Sequence, residues 1–332
     1  MNDDKRAPVS VIVGMRNSAS TIIPCLEGLA SQEYPVAELI VIDNVSEDQS
    51  VALVESFAQR CAVPVRLIRQ TVNFGLATSY NTGVGLASSS LVVLVHSDGS
   101  FPSKNELERL TAPLRNDPDC VAAFPKLLMP RDVWGRFPYW QKFLFARAVD
   151  REVPSMCGKF DCVRKDCYVK AGGYNTKRFT ANCGYGGEVA DAHHRISQLG
   201  RVIQSEARVI HLHDLSSRYD LPALFKTRKL LARTYAKILQ FRGVDLTPGV
   251  MSFFVRPVLS LLPLMPGFFW EGVGIQCAFS LANSWKMYTS RQTLLNPRIL
   301  LLPLVDIALI YYETIWFVEG LLTRPADACT SL

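Results

Sequence analysis

This sequence predicts an α/β domain built on a mostly parallel sheet, followed by a mostly helical, apolar appendage. Three observations carry that expectation. The first two hundred or so residues alternate short apolar, β-branched runs with segments of helical spacing, the pattern of strands covered on both faces by helices. Three of those runs stop abruptly at polar residues: Val9–Val13 leads into Gly14-Met15-Arg16-Asn17, Leu39–Ile42 into Asp43-Asn44-Val45-Ser46, and Leu91–Val95 into His96-Ser97-Asp98. After Pro248 the composition shifts to strongly apolar stretches.

The elements follow in order. Between the first two strands, Ile22, Ile23, Leu26 and Leu29 recur at helical spacing. Ser18 or Ser20 suits the N-cap, with Pro24 near the first turn. Asn73 to Gly83 reads as a polar loop entering a small-residue helix, which would let backbone approach a ligand closely. Ser103–Asn116 is an amphipathic helix opened by a Ser103/Glu106 capping box, and Val121–Phe124 is a further strand. Residues 126–155 are irregular and aromatic (Trp134, Phe137, Tyr139, Trp140, Phe143, Phe145). They suit core packing, with a lid or acceptor surface as the sharper alternative. Arg164–Lys170 has helical spacing and is terminated by Gly172-Gly173. Gly184 to Gly187 is a glycine-rich loop before a helix over Glu188–Leu199. On that helix Glu188, Asp191 and Arg195 share one face. Short strands follow at Val202–Ser205 and Arg208–Ile210, the second delivering His211 and His213, and then a helix over Leu221–Arg242.

In open α/β sheets ligands bind beyond the carboxyl ends of the strands. A carboxylate there, Asp98, is placed to hold a hard divalent cation, Mg²⁺ or Mn²⁺, which can neutralise a diphosphate. A single Asp43 would be read as a turn acid or helix cap. Three strand ends with polar tips point instead to a nucleotide site.

These pieces carry a resemblance. The order Asn17, Asp43-Asn44-Val45-Ser46-Glu47-Asp48, Asn73-Phe74-Gly75, Asn81-Thr82-Gly83, His96-Ser97-Asp98, Gly172-Gly173-Tyr174, Gly187-Glu188, Asp191, Arg195 and His211 resembles glycosyltransferase family 2, with its GT-A fold. The likeness covers residues 8 to 217. It implies an inverting transfer of a sugar from a UDP- or dTDP-linked donor to a saccharide or lipid-linked acceptor, in cell-surface polysaccharide or glycolipid synthesis. By resemblance, Asp98 binds the cation with His211 or His213, and sequence does not choose between the two histidines. Asp43 reads the base or ribose, while Asn17, Asn44, Ser46, Asn73, Gly75, Asn81 and Ser97 line the nucleotide pocket. Gly172, Gly173 and Tyr174 belong to the acceptor side. The position of His96 commonly holds a second acid in the family, so histidine there removes a negative charge. The family's helix usually opens Glu-Asp, and here it reads Glu188-Val189. The base then falls to Glu188, or to Asp191. A polyprenyl-phosphate sugar transferase and a non-catalytic member of the same fold are the alternatives. A sugar nucleotidyltransferase would need a Gly-rich loop after the first strand, and Gly14-Met15-Arg16-Asn17 lacks it.

The expected organisation is a tail at 1–7, a domain at 8–217 split into a nucleotide half (8–125) and an acceptor half (126–217), and an apolar helical region at 218–332. The net charge of +6 is modest, and no Lys/Arg run interleaved with aromatics argues for nucleic acid. Lys226, Arg228, Lys229, Arg233 and Lys237 suit either an anionic membrane surface or a solvated helix face. Pro257–Trp270 and Ile299–Tyr312 are apolar but interrupted, so they read as a membrane hairpin, interfacial helices or the contact surface of a homodimer. Asp306 and Glu313 share one helix face, and acids so placed turn inward or pair. The Met-Asn-Asp-Asp-Lys-Arg start has no apolar core and does not read as a signal peptide. The nine cysteines contain no CxxC pair and read as buried thiols in a reducing compartment. The expected location is the cytoplasmic side of a membrane.

Overall fold

The computed structural model describes residues 6–154, 158–176, 187–213, 219–242 and 248–323, with backbone alone at 153–154, 241–242 and 248–253. The elements are β1 (Val9–Met15), α1 (Ile22–Ala30), β2 (Val36–Asp43), α2 (Ser50–Arg60), β3 (Val65–Arg69), α3 (Leu76–Leu86), β4 (Leu91–His96), β5 (Gly99–Ser100), α4 (Glu106–Asn116), β6 (Cys120–Leu128), α5 (Arg131–Arg136), α6 (Tyr139–Phe145), β7 (Glu152–Pro154), β8 (Phe160–Arg164), α7 (Lys165–Lys170), α8 (Gly187–Ser197), β9 (Arg201–His211), α9 (Leu221–Arg242), α10 (Pro248–Leu261), α11 (Phe269–Thr289), α12 (Arg291–Leu294) and α13 (Leu302–Leu322). Single 3₁₀ turns lie at Leu262–Leu264 and Pro297–Leu301. The chain divides into two units, Met1–Leu128 with Glu152–Ser216, and Met129–Arg151 with Ser217–Leu332.

The first unit is a nine-stranded sheet in the order β3-β2-β1-β4-β8-β6-β9-β5, with β7 paired to β6. β1, β2, β3 and β4 are parallel, whereas β8 runs antiparallel to β4 and to β6. The strands are continuous apolar runs because both faces are covered. Val9, Val11 and Val13 pack with Ile22, Leu26 and Leu29 of α1 and Leu107, Leu110 and Leu114 of α4. Ile12, Ile40, Val92 and Leu94 face the other way, against Ala77, Tyr80 and Val84 of α3 and Val189, Ala192 and Ile196 of α8. Each such side chain contributes about 1.5–3 kcal/mol by leaving water. The chain winds outward from β1 through β2 to β3, then returns to lay β4 on the opposite side of β1. The order therefore reverses between β1 and β4, and a crevice opens beyond their carboxyl ends.

Several local expectations are corrected. Ser18 is not an N-cap: α1 begins after Thr21, and the Ser18 carbonyl accepts the Thr21 and Ile22 amides at 3.0 and 2.9 Å. Ser103 and Glu106 do bond, at 2.6 Å, but Glu106 is the first residue of α4, whose N-cap is Asn105. Glu106 is buried because it also takes Arg109 and the Arg208 amide, tying α4 to β9. The two short strands near 202–210 are one strand, β9, with a register shift where the Ser205 hydroxyl donates to the Phe124 carbonyl at 3.0 Å. The small residues of α3 serve packing on the sheet. A Cβ on Gly83 would lie 2.3 Å from the Ile12 side chain.

The second unit is helical. Residues 129–151 belong to it, not to an acceptor half, and Val133, Trp134, Phe137, Tyr139, Trp140 and Phe143 are buried there, which is the core-packing reading. The basic face of α9 pairs with the acids of α13. Arg228 lies 3.5 Å from Glu313, Arg233 lies 2.9 Å from Glu319, and the Lys229 ammonium sits 3.3 Å over the Trp316 ring. Asp306 turns inward as expected. It is fully buried, accepts Ser284 at 2.8 Å and faces Arg256, which also reaches Glu313 at 3.2 Å. Residues Pro297–Leu322 are long and apolar enough to cross a membrane.

Candidate active site at the strand tips

The crevice beyond β1 and β4 is a cavity of about 170 Å³ lined by Gly14, Arg16, Asn17, Ser18, Thr21, Leu76, His96, Ser97 and Asp98. Its walls are stitched by side chains from the two strand-end loops. Asn17 Oδ1 accepts the Glu47 amide at 2.8 Å, and its own amide donates to Ser46 Oγ at 2.9 Å. Asp43, buried, accepts the Ser46 amide at 3.1 and 3.4 Å, which leaves its carboxylate further acceptor capacity. Asn44 donates to Asn73 Oδ1 at 2.6 Å and accepts the Phe74 amide at 3.1 Å, while Asn73 Oδ1 also takes the Gly75 amide. Ser18 and Ser97 hydroxyls meet at 2.7 Å. Asp48 accepts the Ala19 and Ser50 amides and the Ser50 hydroxyl. Burial pushes its carboxyl up, but those bonds outweigh it and hold it below the usual range. Asn17 and Val45 take φ of 47° and 62° at these tips. For β-branched Val45 that conformation is strained by about 1–3 kcal/mol, the kind of strain that gathers at binding loops.

Two residues of the crevice lining, His96 and Asp98, form with His211 a group that could hold a metal ion. His96, Asp98 and His211 offer donor atoms all within 4.8 Å of one another. His211 reaches the cluster because β5 pairs with β9: Gly99 lies opposite His211, and the Leu212 amide donates to the Asp98 carbonyl at 2.9 Å. His211 Nε2 is then 2.8 Å from Asp98 Oδ2, and His96 Nδ1 is 4.0 Å from Asp98 Oδ1. His213 lies behind, its Nε2 2.9 Å from His211 Nδ1. Of the two histidines left open by the sequence, His211 faces the carboxylate and His213 supports its far nitrogen. Burial pushes His96 and His213 down to about 3, and His211 well below its ordinary value, with Lys159 nearby adding to the effect. All three are thus neutral imidazoles at pH 7, the form that ligates a metal. Asp98 Oδ1 is buried without a hydrogen-bond partner among the described residues. An unmet carboxylate oxygen beside two imidazoles fits a divalent cation.

The acceptor-side residues are placed differently. Gly172 and Gly173 have φ of 79° and 60° and end α7. A Cβ on Gly173 would lie 2.5 Å from Asn81 Oδ1. Of the expected nucleotide residues, Asn17 and Ser97 line the crevice cavity, whereas Asp43, Asn44, Ser46, Asn73, Gly75 and Asn81 do not. The Asn81 carboxamide accepts Tyr168 Oη at 2.7 Å and the Tyr174 amide at 2.8 Å, and donates to the Tyr174 carbonyl at 2.8 Å. Tyr174 is buried, its ring tilted against Tyr80 and edge-on to Tyr168. Asp191 holds Arg195 at 2.7 Å, and Arg195 caps the Ala171 and Gly173 carbonyls. Glu188 stands in the first turn of α8, close enough to Tyr174 that its charge adds to the burial that raises the phenol. Val189 is 6 % exposed in the core, so the position of the family's second acid is a packing position here.

Sequence reasoning missed His96 as a donor, having counted it as a lost acid. His96 ends β4 and Asp98 lies in the turn between β4 and β5, so it is that turn which brings the two side chains together. It also missed Arg16 and Ser18 in the cavity wall, and Lys159, whose charge reaches all three histidines.

Residues 10–169 match the family model described as glycosyl transferase family 2. The chain carries a family 2 glycosyltransferase domain. Among curated relatives, the succinoglycan biosynthesis protein ExoO of Rhizobium meliloti is 35% identical over 98 residues, 29% of this chain and 26% of its own length. The chain spans about a quarter of that relative. Among solved structures, the mannosyltransferase PcManGT from Pyrobaculum calidifontis, in complex with GDP-Man and Mn²⁺, aligns with a TM-score of 0.59 at 18% identity, covering 95% of this chain and 88% of that one. GalNAc-T7 with UDP, GalNAc and Mn²⁺ aligns at 0.52 and 16% identity, covering 78% and 52%. At those identities the likeness shows the fold, which for this family 2 domain is GT-A.

Proposed function

We propose that the chain is an inverting glycosyltransferase that moves a sugar from a nucleotide diphosphate donor, UDP- or dTDP-linked, to a saccharide or lipid-linked acceptor at the cytoplasmic face of a membrane. The observation that carries this is the His96/Asp98/His211 cluster at the β1/β4 crevice. Two named neighbours hold a nucleotide and Mn²⁺ on the same fold.

In this reading Asp43, Asn44, Ser46 and Asn73 hold base and ribose, and Asn17, Arg16 and Ser97 face the diphosphate. Asp98, His96 and His211 would hold the cation, whose chemistry is to neutralise charge on the departing diphosphate. Lys159 adds positive charge on the same side. The acceptor hydroxyl attacks the anomeric carbon as the bond to the diphosphate oxygen breaks, so one displacement inverts the centre. Glu188 takes the hydroxyl proton. Gly172, Gly173 and Tyr174 set the backbone of the acceptor side, held by Asn81 and Arg195.

A second reading, nucleotide-sugar binding without transfer, is favoured by Val189 alone. A hydrolysis and transfer assay over a panel of nucleotide sugars, with and without Mn²⁺, separates the two. Cation-dependent product that Asp98→Asn abolishes supports transfer. Tight nucleotide binding with no turnover on any donor defeats it.

A further inference from the structure

The second unit holds a polar cavity that the transfer reaction does not use. It measures about 240 Å³ and is lined by Arg147, Arg228 and Arg256, by Glu313, Asn283 and Tyr235, and by apolar side chains that include Val255, Phe279 and Phe317. Arg256 is the least exposed of the three arginines. Its side chain is 11% exposed, it lies near both Glu313 and Asp306, and its Nη1 is buried without a hydrogen-bond partner among the described residues. Its guanidinium carbon also lies 5.6 Å from the Phe279 ring centroid. Arg228 is shared with Glu313. Arg147 stands exposed at the mouth and makes no ion pair among the described residues.

The charges do not balance. Arg228 and Arg256 share Glu313, whose Oε1 is itself short of a donor, and Asp306 is taken up by Ser284 and Asn283, so the exposed Arg147 is the guanidinium of the lining with no carboxylate partner among the described residues. Arg256 Nη1 is a buried donor left unmet, which is costly, and the extra cation Arg147 stands at the mouth above it. A phosphoryl group would supply the missing acceptors, and arginine matches its geometry with paired donors. The apolar half of the lining, and the exposed Val255, Val258 and Leu261 along α10, suit a hydrocarbon attached to that group.

We infer that this cavity binds the phosphate headgroup of a lipid, with Arg256 and Arg147 as its ligands and the chain of the lipid running along α10. The site stands on the second unit alone and does not depend on the transfer activity. It adds a specific contact to what would otherwise be general adhesion of apolar surface, and a lipid phosphate at this point anchors the protein by two signals instead of one.

The test uses the full chain in neutral dodecyl maltoside micelles, with dodecyl phosphate as the probe and calorimetry as the readout. The wild type binds. Arg147→Ala weakens binding roughly threefold to fivefold, as expected for one exposed charge. Glu313→Gln removes a competing carboxylate and tightens binding by at least as much. Lys226→Ala removes an exposed charge outside the cavity, changes net charge equally, and leaves affinity unchanged. Neither Arg147→Ala nor Glu313→Gln breaks the Arg256–Asp306 contact, so both should fold, and a melting curve checks this. Inorganic phosphate at the same concentration does not bind. Inorganic phosphate binding as well as the probe would show that the lipid tail is irrelevant and overturn the proposal. Equal effects of Lys226→Ala and Arg147→Ala, or no gain from Glu313→Gln, would reduce the effect to bulk charge and overturn it as well.

Discussion

The two histidines at the end of β9 should behave differently, and the difference can be measured. His211 Nε2 lies 2.8 Å from Asp98 Oδ2, whereas His213 Nε2 lies 2.9 Å from the other ring nitrogen of His211, Nδ1. A ligand whose Nε2 faces the cation carries its proton on Nδ1, and that proton is donated to His213 Nε2. Removing the supporting partner leaves the ligand in place but lets the ring turn. The usual cost of such a loss is about tenfold to a hundredfold in metal affinity, or roughly 1.4–2.7 kcal/mol. Removing His211 takes away one of three donors and should cost more than that. The assay is calorimetric titration of Mn²⁺ into wild type, His211→Ala, His213→Ala and His213→Asn, each saturated with UDP. Asparagine can still accept from the imidazole N–H, so His213→Asn should recover part of the loss. If His213→Ala weakens Mn²⁺ as much as His211→Ala, or if His213→Asn is no better than alanine, the assignment of ligand and support is wrong.

Three further predictions follow from named contacts. Glu188→Gln should lower turnover by about two to four orders of magnitude with donor affinity unchanged, while Asp191→Asn, which loosens the Arg195 clamp, should show in the melting temperature first; near-normal turnover in Glu188→Gln would remove Glu188 from the chemistry. Val189→Asp should not gain activity but should destabilise the domain by several kcal/mol, because it buries a carboxylate among Ile12, Ala192 and Ile196; an unchanged melt with faster turnover would refute that. Glu38 is buried, which pushes its carboxyl up, but bonds from Ser88, Ser10 and Arg66 outweigh burial and hold it at about 2. Its stabilisation, about 3 kcal/mol, is therefore full above the unfolded value near 4.5 and is lost as pH falls towards 2. Urea midpoints measured from pH 6 to pH 3 should fall more steeply for wild type than for Glu38→Gln, and parallel curves would contradict this.

The strands and their polar tips were legible because a parallel strand covered on both faces leaves a continuous apolar run, and Val9–Met15, Val36–Asp43 and Leu91–His96 all have one. Leu221–Arg242 was legible to its ends, since a long helix repeats its signal many times. What failed was local. Ser18 is a good cap by type, but its hydroxyl is engaged by Ser97 from another strand, a contact no short-range rule can see. Asn81 has the composition of a pocket residue, yet its amide is taken up by Tyr168 and Tyr174 from far along the chain. The basic stripe on α9 was ambiguous because its partners, Glu313 and Glu319, lie on a helix whose register against it is fixed only by packing. Cys157, Gly184, Tyr185, Gly186 and Asp214 lie outside the described residues.

The pairing of β5 with β9 has a consequence for assembly. β5 is only Gly99–Ser100, and it is bound to the far end of β9 through Gly99 and His211. Asp98 and His96 sit at the end of an early strand, while His211 arrives with the last strand of the sheet. A nascent chain therefore cannot present the complete donor set until the sheet's edge has closed. Any free energy of cation binding is also free energy of holding that two-residue strand in place. Hydrogen exchange at the Leu212 amide, the donor to Asp98, would thus slow as Mn²⁺ is added, and the edge of the sheet would report the occupancy of its centre.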